Sequence, residues 1–339
     1  MNQTQLADYN LVRNSVGLFD FSSSTKIYIS GKESLSLLNG LISGNVEAMN
    51  DGKIINSLLM RNDGSLLAIV WVLKDEEQYI ILTDAEKRKT LLEWILNQAK
   101  EFNVQIEDKT DILGSMGVVG PKGQDLLMAV AGDDIIGLPY LGFEHNTLIN
   151  CLICRIGYSG EYEYRLIFPK ERYDELQDQI MEKGCECGIA LCNIDILDTL
   201  MFEMKLVNQN KDLLDGTTPI QAGLHWMINF RKSEFMGKDA MMKEKQLPSK
   251  KLLLLLSEDK IDIPNQAKLF IEDLECGFVV KNTFSPTLNK DIFLAYIDNR
   301  FAWVGIHFDI ETIHQEKGLV KTVSGPLFIT KTLSEAASQ

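Results

Sequence analysis

The sequence predicts an α+β protein of two or three domains, on three observations. Strand-like and helical segments alternate irregularly up to about Lys245, without the regular strand–helix–strand repeat of a doubly wound sheet. The pattern then changes across Lys245-Gln-Leu-Pro-Ser-Lys-Lys251 to short strands separated by turns, which reads as an all-β unit. The chain has 339 residues, more than the roughly 250 at which a single core stops growing.

The elements follow in order. Leu6–Ser15 has helical spacing and ends at Gly17, and Lys26–Gly31 alternates as a strand. Ser34–Leu41 reads as a short amphipathic helix. Ser57–Leu73 holds two strand-like runs split by Asn62-Asp63-Gly64, a strong hairpin turn. Tyr79–Leu82 is a further strand. Ala85–Phe102 reads as an amphipathic helix with Leu91, Leu92, Ile95 and Leu96 on one face. Ile112–Val119 is a strand, followed by a Gly-Pro-Lys-Gly turn and a helix through Val130. Strands and a helix over Glu171–Glu182 recur between Leu148 and Ile194.

Composition narrows the function classes. With 45% hydrophobic and 24% charged residues the chain is globular rather than disordered. A net charge of −14 repels phosphate backbones and anionic lipid, so neither nucleic-acid nor membrane-surface binding is expected, while a small-molecule substrate is not blocked, because a local pocket can differ from the surface average. The longest apolar stretch, Leu252–Leu256, is far short of the ~20 residues of a membrane span. The first residues show no basic start with an apolar run, so a cytoplasmic location is expected.

Motifs for dinucleotide, phosphate-loop, zinc-protease and serine-hydrolase chemistry are not found. His145, His225, His307 and His314 are too scattered for a metal cluster, and no metal is expected. Cys151 and Cys154 have CxxC spacing but lie in a strand-like run. Residues three apart in a strand point to opposite faces, so core thiols are expected. The most pointed segment is Arg155-Ile-Gly-Tyr-Ser-Gly-Glu-Tyr-Glu-Tyr164. Its glycines bracket a turn that presents Glu161, and a carboxylate there can accept from a ring N–H and an exocyclic amine, as pterins and purines require.

Five segments in order then carry a family resemblance. VRNSVGLFDFS (Val12–Ser22), GYSGE (Gly157–Glu161), TPIQAGLHW (Thr218–Trp226), FMGKDA (Phe235–Ala240) and TFSPTLNKDIFLAYI (Thr283–Ile297) are similar to stretches of the glycine cleavage T-protein (aminomethyltransferase) family. The resemblance implies a three-domain fold around a central folate channel with a C-terminal β barrel or jellyroll. Combined with the pattern change, it places a discontinuous folate-binding domain at 1–50 and 138–246, a second α+β domain at 51–137 and a C-terminal β domain at 247–339. It implies tetrahydrofolate as cofactor, in its 5,10-methylene or 5-methyl form. It also implies transfer of one carbon to or from an amine; in the T-protein itself the donor is a lipoyl arm on a carrier protein and ammonia is released. Glu161 would hold the pterin, with Tyr158, Tyr140 and Trp226 as lining residues.

The chain departs from the family at the centre. The hairpin acids of GGxxDDL are replaced by Ala68 and Ile69, and both arginines of RDxLRLE by Leu197 and Met201, while Asp198 and Glu203 remain. His225 stands at a family glycine and adds a group that titrates near neutrality. Proton transfer is therefore expected of Asp198, His225 or a group of the substrate. The expected function is a tetrahydrofolate-dependent one-carbon transferase acting on a specialised non-glycine substrate. The alternatives are a glycine cleavage aminomethyltransferase with relocated catalytic groups and a non-catalytic folate-binding paralogue.

Overall fold

The computed structural model describes residues 1–246, 248–314 and 317–336. In chain order, α1 (Gln3–Asn14) leads into β1 (Gly17–Asp20), β2 (Thr25–Ser30), α2 (Ser34–Leu41), β3 (Lys53–Met60), β4 (Leu66–Asp75), β5 (Gln78–Thr83) and α3 (Arg88–Gln98). There follow β6 (Gln105–Asp108), β7 (Leu113–Val119), α4 (Gly123–Ala131), β8 (Phe143–Asn146), β9 (Cys151–Arg155), β10 (Glu163–Pro169), α5 (Tyr173–Lys183), β11 (Ala190–Leu191) and α6 (Ile196–Glu203). A largely irregular stretch, 204–237, precedes α7 (Lys238–Glu244). The last part holds β12 (Lys250–Leu256), β13 (Lys268–Ile271), β14 (Leu274–Ser285), β15 (Lys290–Asp298), β16 (His307–Glu311), β17 (Lys317–Val323) and α8 (Lys331–Ala336).

These strands form a six-stranded sheet in the order β11-β1-β7-β10-β9-β8, a five-stranded sheet β3-β4-β5-β2-β6, and a closed barrel β12-β15-β14-β13-β16-β17. The mixed α+β class and the C-terminal barrel are as the sequence predicts. No described helix is long and apolar enough to cross a membrane.

Strand alternation sets the layers. In β9, Cys151 and Ile153 pack with Leu126 and Leu127 of α4 and Leu176 and Ile180 of α5. Leu152 and Cys154, one residue out of step, face Trp71, Leu73 and Ile80 of the second sheet. The two thiols thus lie on opposite faces, and burial pushes both up to about 12, which keeps them protonated. In β4, Ala68, Val70 and Val72 face α2 and α3, while Trp71 and Leu73 face the first sheet. The result is helices, sheet, sheet, helices, with apolar side chains between every pair of layers.

The sheets exchange the chain at places other than the expected segment ends. β2 and α2, inside 1–50, belong with the second sheet, and β7 and α4, inside 51–137, belong with the first. The crossings fall at 21–25 and 109–113. The cause is pairing: β1 lies beside β7 whereas β2 lies between β5 and β6, and local periodicity reports a strand but not its partner. The expected boundary at Leu247 lies outside the described residues. α3 is also shorter than expected, flanked by single 3-10 turns. Its inner face is carried by Leu91, Ile95 and Ala99, and Leu96 is 48% exposed.

Local signals behave as their chemistry dictates. Asn2 and Gln5 form a reciprocal capping box at the start of α1. At the β3–β4 tip Gly64 takes a φ of +82°, and a Cβ there would lie 2.6 Å from Met241 of α7.

One buried cluster ties the parts together. Arg13 of α1 pairs with Glu203 at 2.7 Å and with Glu161 at 3.3 Å. Glu203 also accepts from Tyr9 (2.7 Å) and from Ser285 of the barrel. Glu161 accepts from the backbone N–H (3.0 Å) and hydroxyl (2.7 Å) of Thr332. Both carboxylate side chains are fully buried. Glu161 is thus spent on this cluster, not presented at a turn for a ligand. Replacing Arg13 by methionine strands two buried carboxylates, and a loss of about 3–5 kcal/mol is expected in urea-unfolding measurements.

Candidate functional site

The inner ends of β4, β5 and β10, helix α6 and the irregular 204–237 stretch enclose a cavity of about 300 Å³. Period-two alternation aims three side chains at it. In β10, Tyr164, Leu166 and Phe168 enter the α4–α5 core, so Glu163 and Arg165 line the cavity on the other face. In β4, Ile69 lines it, while Ala68 is sealed among the α2–α3 contacts. Of the two positions where the resembled family carries hairpin acids, only Ile69 therefore faces the cavity.

The polar end is built from buried charges. Glu163 accepts from the backbone N–H groups of Tyr158 (3.0 Å) and Ser159 (3.3 Å). Its carboxyl folds under Gly157, where a Cβ would come within 2.2 Å of it; a side chain at Gly157 has no room. Burial raises the Glu163 carboxyl above the ordinary range, against the pull of Arg165 and these N–H groups. The Arg165 guanidinium lies 3.4 Å from the Phe21 ring centroid, and its buried Nε has no hydrogen-bond partner among the described residues. Burial lowers its proton affinity, with Glu163 opposing.

Asp84, just past β5, is a second, half-buried acid. It accepts from the amides of Gln209 (2.9 Å) and Asn210 (2.9 Å), yet desolvation still raises its pKa. Gln209 is itself fixed to Ile69, accepting from its N–H at 2.7 Å and donating to its carbonyl at 3.3 Å. One amide side chain thus separates the Asp84 carboxylate from the Ile69 backbone. Apolar lining comes from Trp71, Leu82, Leu197, Met201, Val207 and Met227, and further polar lining from Asp195, Asp198, Asn208 and Lys211. Such a site accepts a flat ring that donates hydrogen bonds from one edge and presents apolar faces.

The structure brings together only part of the predicted set. Tyr158 and Asp198 line the cavity. The Tyr158 ring lies 5.1 Å from Trp71, the two planes tilted by 34°, and burial raises its pKa. Asp198 is not a free base: it pairs with Lys281 of β14 at 2.8 Å and accepts from Asn208 at 3.2 Å. Glu161 does not line the cavity. Tyr140 is 58% exposed, its hydroxyl donating to the Gly157 carbonyl at 3.4 Å. His225 and Trp226 sit on an exposed 3-10 turn beside a second cavity, because that turn buries Leu224 and Met227 and leaves these two outside.

Asp84, Glu163, Arg165 and Gln209 were not singled out by sequence. A signal for two of them exists: Glu163 and Arg165 are charges spaced by two in an otherwise apolar strand, which marks a polar patch on a buried face. Nothing local marks Asp84 or Gln209, which meet across 125 residues.

A carboxyl whose pKa is raised on folding stabilises the folded state while protonated. That contribution fades as pH climbs from glutamate's ordinary 4.5 through the higher folded value. The protein is expected to lose unfolding free energy over that interval, and Glu163→Gln to flatten the slope; denaturant titrations at a series of pH values read it directly.

Residues 1–232 match the GCVT N-terminal domain and residues 250–328 the glycine cleavage T-protein C-terminal barrel domain. The chain is 29% identical over 331 residues to an aminomethyltransferase of Caldanaerobacter subterraneus subsp. tengcongensis, covering 96% of this chain and 88% of that one. It is 30% identical over 310 residues to an aminomethyltransferase of Desulforamulus reducens, covering 90% and 85%. The crystal structure of glycine cleavage system aminomethyltransferase T from Bartonella henselae superposes with a TM-score of 0.88 at 21% identity, over 96% of this chain and 90% of that one. With both domains matched end to end and in order, the chain belongs to the glycine cleavage T-protein family, whose curated relatives here are aminomethyltransferases.

Proposed function

We propose that the chain is a tetrahydrofolate-dependent one-carbon transferase whose ring-binding site is the central cavity, and that its one-carbon partner is a substrate other than the glycine-derived aminomethyl group. The observation that carries the first half is the polar set: buried Glu163 and half-buried Asp84, beside an Arg165 Nε without a hydrogen-bond partner among the described residues, next to the apolar side chains of Ile69, Trp71 and Met201. A reduced pterin edge offers an amine and a ring N–H to a carboxylate and a carbonyl oxygen to a guanidinium. The folate, when bound, supplies the nitrogens that carry the one-carbon unit. Glu163 fixes the ring edge, Arg165 its carbonyl, and Trp71 and Met201 cover its faces and exclude water. Asp84, held at one oxygen by Gln209 and Asn210, offers the cavity a carboxyl that exchanges a proton or faces developing positive charge.

The non-glycine half is supported by what the walls lack. Ile69, Leu197 and Met201 are apolar where the resembled family places acid and arginine, so an acceptor of different charge suits the site. Asp84 also favours a second reading, an aminomethyltransferase whose carboxylate has moved from β4 to the end of β5. The two readings separate by assay with tetrahydrofolate and an aminomethyl-loaded lipoyl carrier protein. Ammonia release at a steady rate favours the second reading; folate binding without ammonia release favours the first.

Tryptophan-quenching titration, read through Trp71, is expected to show tetrahydrofolate binding that Glu163→Ala weakens at least tenfold. Absence of binding by the unaltered protein defeats the proposal. In whichever one-carbon assay is active, Asp84→Asn is expected to lower kcat by about 10²-fold or more while KM moves only a few-fold.

A further inference from the structure

Strand β14 of the barrel delivers one cation to the wall of the central cavity. Val279 lies in the barrel core with Phe293 and Ala295, and a strict period of two would send Lys281 the same way. A bulge between Val279 and Lys281 shifts the register against β15, and such a bulge re-aims the side chain that follows it. The Lys281 ammonium lies 4.8 Å from the Phe202 ring centroid. Asp198 of α6 and Asp212 share it, at 2.8 and 2.9 Å. Leu197 and Met201 offer Asp198 no cation from its own helix, so the barrel supplies one.

The Asp212 side chain is fully buried, and its second oxygen accepts from the Asn208 backbone N–H at 2.8 Å. The Asp212 N–H returns to the Asn208 carbonyl at 2.9 Å, and the Asn208 amide donates to Asp198 at 3.2 Å. Residues 208–212 thus close into a small loop beside the Lys281 ammonium. Between its two ends stand Gln209 and Asn210, whose amides both donate to Oδ2 of Asp84 at 2.9 Å. Among the described residues no other hydrogen bond reaches that carboxylate. Burial raises the Asp212 carboxyl, and Lys281 leads the influences that oppose it. We propose that Lys281 is a positioning residue for Asp84: by gathering Asp198 and Asp212 it holds the 208–212 loop in the arrangement that fixes the Asp84 carboxyl at the cavity wall. The inference rests on the role given to Asp84 above and extends its support to the barrel. Displacing a catalytic group by about 1 Å through a distant change can cost on the order of 10²-fold in rate, so a contact two steps away is felt in kcat.

The test is Lys281→Met, alone and in an Asp84→Asn background. In the one-carbon assay that is active, the single variant is expected to lower kcat about tenfold or more while KM moves only a few-fold. In the Asp84→Asn background the further loss is expected to stay below about twofold, the non-additivity of residues that act through one another. Backbone hydrogen exchange over 206–214, read by mass spectrometry, is expected to speed up about tenfold or more in Lys281→Met, with or without a folate present. Lys281→Met/Asp212→Asn, which leaves no fully buried carboxylate without its cation, is expected to give the same results and serves if the single variant folds poorly. Lys268→Met breaks an exposed ion pair elsewhere in the barrel and is expected to move neither readout. An unchanged kcat, a loss of equal size in both backgrounds, or unchanged exchange over 206–214 overturns the positioning role and leaves Asp84's own role standing. Undiminished kcat in Asp84→Asn alone overturns the reading of Asp84, and the positioning role with it.

Discussion

Arg13 holds two fully buried carboxylates that belong to different parts of the chain, and the placement of α1, the 157–163 turn, α6 and the barrel follows from that contact. Taking three charges out of water costs several kcal/mol per ion, and the return depends on how completely each is satisfied. Here satisfaction is shared out. Glu203 needs Arg13 and Tyr9 of α1 and Ser285 of β14; Glu161 needs Arg13 and Thr332 of α8. The cluster is therefore complete only when helix, sheet and barrel are all docked, which makes their docking cooperative. Tyr9 and Phe328 rings flank the guanidinium at 5.7 and 5.1 Å and keep water out.

The same rigidity frames the cavity. Arg13 also donates to the Ser159 carbonyl at 2.7 Å, which fixes the turn whose N–H groups hold Glu163. Charge in the cavity stands at the ends of β5 and β10, with Asp198 of α6 paired to Lys281. Fewer charges in a more apolar enclosure do not mean weaker electrostatics, because each remaining one acts through a lower effective dielectric. Lys281 is paired with both Asp198 and Asp212, at 2.8 and 2.9 Å, whereas Asp84 and Glu163 have no lysine within ion-pair distance among the described residues.

Much of the architecture was legible in sequence because it is written locally. The Asn62-Asp63-Gly64 turn, the α2 limits and the change to a barrel near Lys250 all rest on turn chemistry and periodicity. The opposite faces of Cys151 and Cys154 follow from the strand period alone. What was not legible depends on partners. Which sheet β2 joins is decided by β5 and β6, and Asp84 acquires its environment from Gln209. Glu161 misled for a related reason: a glycine-bracketed turn identifies an exposed backbone, but Arg13 and Thr332 decide where the side chain goes. The acid two residues later, on the inward face of β10, is the one that reaches the cavity.

The separation in sequence between members of the Arg13 cluster has a consequence for synthesis. Helix α1 is made well before its partners in this cluster: Glu161, Glu203, Ser285 and Thr332 follow it by roughly 150 to 320 positions. At about 5–20 residues per second, α1 waits on the order of ten seconds for the first of them and longer for the last. Strand β1 likewise waits for β7, while in the second sheet β3, β4 and β5 pair with their neighbours in the chain. The β3–β4–β5 part of the five-stranded sheet is therefore positioned to form first, with α1 incorporated late.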